Sequence, residues 1–208
     1  MQSHSYKFIE FFIAFIVVPV SFVLDYPILI KFLIGIVGFI YIIFVLLRIE
    51  NNQFKIAKNL NWKLFWKQTM LKFVAVIVLT TVYVCIYDQS NLFAVVLNKP
   101  FLWFAIIFAY SLFSVYPQEL IYRTFYFQRY QALFKSPKTL IFINAIVFCL
   151  AHLFFRNTLV LVLTFLGGVL FGFTFYKTKS TLLVTVEHAI YGSWLFTVGM
   201  GEMLGFPS

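Results

Sequence analysis

Seven stretches of the chain are nearly free of charged residues and long enough to cross a lipid bilayer. They extend over residues 8–24, 26–47, 69–87, 100–127, 139–155, 158–176 and 180–200. A transmembrane helix needs roughly 20 mainly apolar residues, and inside lipid each backbone polar group must be satisfied within the protein. The pattern therefore predicts an all-α fold, a polytopic membrane helix bundle of about seven transmembrane helices with a buried polar site.

The composition favours a membrane protein over a soluble one. Of the 208 residues, 62% are hydrophobic and 11% are charged, whereas about a quarter of an ordinary soluble domain is charged. The net charge of +9 is compatible with nucleic-acid binding, but the cations are scattered at the ends of apolar runs instead of being clustered. We therefore expect the lipid bilayer, and no nucleic acid, as a partner.

The distribution of lysine and arginine predicts the orientation in the membrane. With the N-terminus inside, 12 of the 16 basic residues fall in cytoplasmic segments, two fall outside and two lie within spans. Cytoplasmic loops of membrane proteins carry an excess of positive charge. We expect an integral, multi-pass protein of the cytoplasmic membrane of a prokaryote, with its N-terminus inside and its C-terminus outside.

One sizeable polar segment, from Arg48 to Gln68, separates the second and third apolar runs. Its lysines are interleaved with aromatic and aliphatic residues, as in an amphipathic helix that lies on an anionic leaflet. We therefore divide the single membrane domain into two parts. Residues 1–99 form N-terminal membrane helices with this basic interfacial segment, and residues 100–208 form a core that carries most of the intramembrane polar residues.

Two glycines in the sixth apolar run predict close helix packing. Gly168 and Gly172 are four residues apart, and this spacing lets two helix backbones approach each other closely. The pattern is common in membrane helices, so it predicts packing and no chemistry.

A small set of polar side chains lies inside the apolar runs of the second half. The ionisable ones are Glu119, Arg123, His152, Glu187 and His188, and the neutral Gln118 and Ser193 lie beside them in the sequence. An ionisable group at membrane depth costs at least about 2.5 to 3.5 kcal/mol on insertion scales, so it usually faces a polar cavity and has a partner. These residues are therefore candidates for a functional site.

Their spacing predicts that three helices direct these side chains to one point. Glu119 and Arg123 are four residues apart, so on an α-helix they share a face and can pair. From the helical rise, Glu119 and His188 lie about 12 Å from the cytoplasmic ends of their helices, and His152 about 20 Å. A carboxylate with two imidazoles can activate a water, hold a developing oxyanion or bind a metal.

The order and spacing of these residues resemble the CPBP family of intramembrane proteases. That family, which includes CAAX prenyl endopeptidases and bacteriocin-processing or immunity proteins, is marked by two adjacent glutamates and an arginine, then Phe-x3-His, then His-x3-Asn. The matching stretches here are "QELIYR" from Gln118, "FCLAH" from Phe148 and "HAIYG" from His188. The resemblance covers roughly residues 100–200 and implies a CPBP-like protease core there.

Two residues depart from the family pattern. The first glutamate, usually the one that activates water, is Gln118 here, and the closing asparagine is Gly192. An amide cannot act as a general base, so the family's usual assignment does not carry over to Gln118. The resemblance implies that Glu119 either pairs with Arg123 or acts as the base. It further implies that His152 holds the water and His188 binds the oxyanion.

Four more residues are candidates for supporting the substrate or the oxyanion. Glu187 is adjacent to His188 but about 100° around the helix, which makes it a weaker substitute base. Ser193 or Gln118 is a candidate for the missing hydrogen-bond donor, and Phe148 is a candidate for lining a substrate groove. We assign no metal; a divalent ion such as zinc is compatible with Glu119, His152 and His188, but no HExxH pair requires it.

The leading hypothesis is an intramembrane endopeptidase that hydrolyses a peptide bond with water activated by glutamate and histidine. Its partner is a peptide or protein substrate in or at the membrane, such as a CAAX-type C-terminus or a leader or sorting peptide. Two alternatives stay open. One is a catalytically impaired relative that acts as a membrane immunity or scaffold protein, and the other is a small transporter component.

Overall fold

The computed structural model describes residues 1–52 and 60–205, and these residues form helices and connecting turns with no β-strand among them. We number the long helices of this part in chain order. They are α1 His4–Ser21, α2 Ile28–Arg48, α3 Trp62–Tyr87, α4 Pro100–Leu133, α5 Pro137–Phe155, α6 Thr158–Thr178 and α7 Thr181–Val198. A short helix, Ala94–Asn98, precedes α4. The predicted all-α fold is confirmed.

Helices α1 to α6 are long and apolar enough to cross a membrane. Helix α7, which carries Glu187 and His188, is not among these candidate spans. The described part of the chain thus holds six candidate spans, close to the predicted seven, and the prediction of a multi-pass membrane protein is confirmed. The orientation of the termini stays a prediction.

Short polar side chains begin the last three long helices. Ser136 caps α5, Asn157 caps α6 and Ser180 caps α7, each with a side-chain oxygen that accepts a hydrogen bond from a backbone N–H of the first turn. Pro137 occupies the first position of α5, where its fixed φ suits a helix and its missing N–H costs nothing. These local features explain why the chain breaks into separate helices at these points.

The described residues group into two compact units. The first combines the described residues of 1–56 with Leu120–Lys179, and the second combines those of 57–119 with those of 180–208. Each unit therefore joins segments that are distant in the sequence. The predicted division of the chain near residue 99 stays a prediction.

In the first unit, α5 and α6 pack with their backbones close together. A Cβ built on Gly168 would lie 2.8 Å from the Cα of Ala145, and one on Gly172 would lie 3.3 Å from the Oδ1 of Asn144. Real Cβ atoms do not approach a backbone atom so closely, so position 168 needs glycine. The close packing predicted from the two glycines is confirmed, with α5 as the neighbouring helix.

A buried ionic cluster joins α1, α4 and the end of α2 in the first unit. The fully buried Arg129 donates from Nε to Glu10 at 2.7 Å and from Nη1 to Glu50 at 2.7 Å. Tyr130 and Tyr41 also donate to the Glu10 carboxylate. Because a buried charge is tolerated only when it is paired and hydrogen-bonded, this cluster is a structural connection between three helices.

In the second unit, hydrogen bonds between side chains attach α7 to its neighbours. The indole of Trp194 donates to Thr80 of α3 at 2.9 Å, and that of Trp103 in α4 donates to Thr197 at 3.0 Å. Polar contacts of this kind are usual between membrane helices. They place α7, and with it His188, against both α3 and α4.

The predicted interfacial segment is described only in part. Residues 53–59 lie outside the described residues, and from Trp62 the chain forms α3, which continues to Tyr87. Asn61 caps this helix by accepting a hydrogen bond from the Leu64 N–H at 2.9 Å. The end of the polar segment therefore forms the first turns of a long helix.

Candidate active site

Glu119 lies at an irregular point of α4. It ends a four-residue α-helical piece, Tyr116–Glu119, which is flanked by π-helical turns at Tyr110–Val115 and Leu120–Phe125. π-Helical turns are rare and occur frequently at functional sites. The side chain of Glu119 is fully buried, so its carboxylate is set in a position where water is scarce.

In the second unit, Glu119 pairs with His188 of α7. The Nδ1 of His188 lies 2.8 Å from Oε1 of Glu119, and both side chains are buried. Because an ionised carboxylate only accepts hydrogen bonds, the Nδ1–H donates. This contact orients the imidazole ring, because it fixes which ring nitrogen faces the carboxylate. Residues from two different helices, α4 and α7, are thus brought together.

Gln118 and Ser193 each make a hydrogen bond within their own helix. The amide Nε2 of Gln118 donates to the hydroxyl of Ser114 at 2.8 Å, one turn earlier in α4. The backbone oxygen of Ser193 accepts from the hydroxyl of Thr197 at 2.8 Å, one turn later in α7. The predicted supporting roles of these two residues stay predictions.

Glu187 belongs to a separate ionic contact of the second unit. Its fully buried carboxylate forms an ion pair with Lys72 of α3. The hydroxyl of Tyr191 lies 2.9 Å from the same carboxylate oxygen and 3.0 Å from the backbone oxygen of Thr69, also in α3. The sequence did not predict the pairing with Lys72. These contacts connect α7 to α3 at the residue that precedes His188.

In the first unit, Arg123 stacks on aromatic rings. Its guanidinium carbon lies 4.5 Å from the ring centre of Phe148 and 5.7 Å from that of Phe171. A cation over an aromatic face is stabilised by the ring quadrupole, more so when it is desolvated, and Arg123 is fully buried. Arg123 lies in the π-helical turn that follows Glu119, so the i, i+4 geometry assumed for a regular α-helix does not apply, and the predicted ion pair stays a prediction.

His152, also in the first unit, is oriented by the backbone of α5. Its Nδ1 lies 2.7 Å from the carbonyl oxygen of Phe148, four residues earlier. A carbonyl oxygen only accepts, so Nδ1 carries the proton and the lone pair of the neutral ring is on Nε2. The ring also packs on Phe148 and Phe155, with ring centres 4.8 and 6.0 Å apart. His152 is therefore held in one tautomer, with Nε2 as acceptor.

The second unit contains a site residue that the sequence reasoning missed. The ring of Tyr110 meets the imidazole of His188 edge-on, with ring centres 6.1 Å apart, and packs on Phe196 at 4.8 Å. A Cβ built on Gly192 would overlap the Tyr110 hydroxyl. In the sequence, Gly192 was the signal for such a neighbour, because a glycine one turn after His188 leaves room for a side chain from another helix.

The predicted site residues thus fall into two groups. The second unit holds the Glu119 and His188 pair with Tyr110 beside it, and the first unit holds Arg123, Phe148 and His152. Among the described residues, no three His, Cys, Asp or Glu side chains are arranged to hold a metal ion.

One family comparison bears on this site. Residues 100–194, just under half of the chain, match the family model described as type II CAAX prenyl endopeptidase Rce1-like. No curated protein and no solved structure is significantly similar to the chain. The matched segment contains every predicted site residue, from Gln118 to Ser193. The resemblance predicted from the sequence is confirmed: the match over residues 100–194 is consistent with a protease of the CPBP family.

Proposed function

We propose that this protein is an intramembrane endopeptidase of the CAAX type, in which Glu119 activates the attacking water. The observation that carries the proposal is the buried pair of Glu119 and His188, 2.8 Å apart, within the segment that matches the endopeptidase family. A family of this kind acts on peptides or proteins at the membrane. The pair supplies a base and an electrophilic donor, the two groups that peptide hydrolysis requires.

In the first step, the carboxylate of Glu119 takes a proton from water as the water oxygen bonds to the scissile carbonyl carbon. The carbonyl π electrons move to oxygen, and the resulting oxyanion accepts a hydrogen bond from Nε2–H of protonated His188. Glu119 holds the Nδ1–H of the ring and thereby orients the Nε2–H. The family resemblance supports His152 as the residue that holds the water, and its Nε2 is the acceptor because its Nδ1–H donates to the Phe148 carbonyl.

In the second step, the C–N bond breaks and the oxyanion returns to a carbonyl. The proton on Glu119 passes to the departing amine, so the products are a carboxylic acid and an amine, and the enzyme is restored. The family resemblance supports an arranging role for Arg123, and proton transfer is excluded because an arginine cannot be deprotonated in a protein. Its cation is held on the faces of Phe148 and Phe171.

The proposed substrate is a peptide that ends in a prenylated CAAX-type sequence. The family description names prenyl endopeptidases, and a protein embedded in lipid can receive a lipid-modified peptide from the bilayer. Leader or sorting peptides without a lipid are the competing substrates. A comparison of a farnesylated peptide with the same peptide lacking the farnesyl group separates these two classes.

The test is hydrolysis of an internally quenched farnesylated CAAX peptide by the protein in liposomes. We expect Glu119→Gln, which keeps the shape of the side chain and removes the base, to lower kcat by about 10²–10⁴-fold. The matched control is Glu202→Gln, the same chemical change at an exposed residue outside the long helices, and it should keep wild-type turnover. Equal turnover of wild type and Glu119→Gln would refute the proposed role of Glu119.

One observation favours a second candidate function, a binding protein without catalysis. The position where the family has its first glutamate holds Gln118, whose amide donates to Ser114. If this amide has replaced the base, wild type binds the farnesylated peptide and does not cleave it, and Gln118→Glu gains hydrolysis. Cleavage by wild type that depends on Glu119 excludes this second function.

A further inference from the structure

The side-chain space at position 192 is occupied by a tyrosine from another helix. Gly192 lies one turn after His188 in α7, and a Cβ at this position would overlap the hydroxyl of Tyr110, which is the first residue of a π-helical turn in α4. Both residues belong to the second unit. Any residue larger than glycine at position 192 would therefore displace the tyrosine.

This arrangement gives His188 a polar neighbour on its own face of the helix. Residues i and i+4 of an α-helix lie one above the other on the same face. The Tyr110 hydroxyl thus lies where the side chain of residue 192 would be, beside the imidazole that Glu119 orients. The tyrosine ring is fixed there by edge contacts with His188 and Phe196.

We propose that the hydroxyl of Tyr110 is a second donor to the oxyanion, next to His188. This inference rests on the proposed endopeptidase function and adds a catalytic residue to it. A neutral O–H suits the role because it donates a hydrogen bond to the oxyanion and keeps its proton throughout the reaction. The π-helical turn that begins at Tyr110 offsets this residue from a regular helix, and the glycine opposite provides the room.

The alternative is that Tyr110 only packs against α7. The two roles differ because the ring makes the packing contacts and the hydroxyl makes the proposed hydrogen bond. Tyr110→Phe removes the hydroxyl and keeps the ring against His188 and Phe196. A packing role is therefore largely retained in this variant, whereas the proposed donor is lost.

The experiment measures kcat and KM for the farnesylated peptide, together with the melting temperature, for Tyr110→Phe. We expect kcat to fall by about 10²–10³-fold, the usual effect of losing one oxyanion donor. KM should stay within about twofold, because the bond forms only as the negative charge develops. The control is Tyr83→Phe, which removes a hydroxyl from a partly exposed tyrosine of α3 in the same unit and should leave kcat unchanged.

A second pair of variants tests the proposed donor role of Tyr110 if Tyr110→Phe does not fold. Gly192→Asn alone should lose activity, because its side chain overlaps Tyr110. Tyr110→Ala opens that space, and adding Gly192→Asn to it places an amide donor beside His188. We expect the double variant to exceed Tyr110→Ala in kcat by about tenfold or more, since one recovered donor is worth at least that much.

The outcomes separate this inference from the proposed function. If wild type cleaves with dependence on Glu119 and Tyr110→Phe keeps full kcat while folded, the inference about Tyr110 is overturned and the endopeptidase stands. A double variant no better than Tyr110→Ala, with Tyr110→Phe unfolded, also overturns it. If wild type shows no cleavage that depends on Glu119, the proposed function fails and the role of Tyr110 fails with it.

Discussion

Among single residues, the adjacent Glu187 and His188 of α7 have different partners. His188 turns to Glu119 of α4, whereas Glu187 forms an ion pair with Lys72 of α3. Successive residues of a helix point about 100° apart, so neighbours in the sequence contact different helices. Glu187 therefore connects α7 to α3, and Glu119, the partner of His188, is the residue proposed as the base.

The ion pair of Lys72 and Glu187 leads to a stability prediction. Lys72→Met leaves the fully buried Glu187 carboxylate without its cation, so the free energy of unfolding should fall by about 1–3 kcal/mol. Adding Glu187→Gln removes the orphaned charge, and the double variant should recover at least part of this loss. Denaturant unfolding in detergent measures both. A double variant less stable than Lys72→Met would contradict the pairing.

At the scale of helices, α5 and α6 are joined through a backbone contact that only glycine allows. The Cβ of any other residue at position 168 would press on the Cα of Ala145, and neither backbone can yield without moving its helix. By contrast, a Cβ on Gly35 of α2 meets no atom within 4 Å. The two glycines therefore have different structural importance, although both lie within apolar helices.

This contrast predicts different effects of the same substitution. Gly168→Ala should lower the free energy of unfolding by about 1–3 kcal/mol, the usual cost of overpacking. Gly35→Ala should leave stability unchanged or raise it slightly, because alanine favours helix over glycine. Unfolding of both variants under the same conditions is the measurement. Equal stability of the two would mean that α5 and α6 do not pack as closely as described.

For the protein as a whole, the number of membrane crossings depends on whether α7 crosses the bilayer. Six helices of the described part are candidate spans, and α7 is not one of them because it carries polar residues in its middle. An intramembrane helix with charged residues is tolerated when those residues are paired inside the protein. The pairs made by Glu187 and His188 meet this condition.

We therefore expect α7 to cross the membrane, with the N-terminus inside and the C-terminus outside. Reporter fusions that are active on only one side of the membrane, attached at each terminus in turn, measure this directly. The excess of basic residues in the predicted cytoplasmic segments favours the same result. Both termini on one side of the membrane would contradict the prediction and would mean that α7 does not cross.

The amino-acid sequence was sufficient to predict the helices and to select the candidate site residues. The apolar runs predicted the membrane helices because length and composition are local properties, and the motifs around Glu119, His152 and His188 predicted the family. The packing of the helices determines which side chains meet: Glu119 with His188, Lys72 with Glu187, and Tyr110 with the space at Gly192. The two hydrogen-bonded pairs join residues that are 69 and 115 positions apart in the sequence. Their contact depends on how the helices pack, and local spacing in the sequence does not predict helix packing.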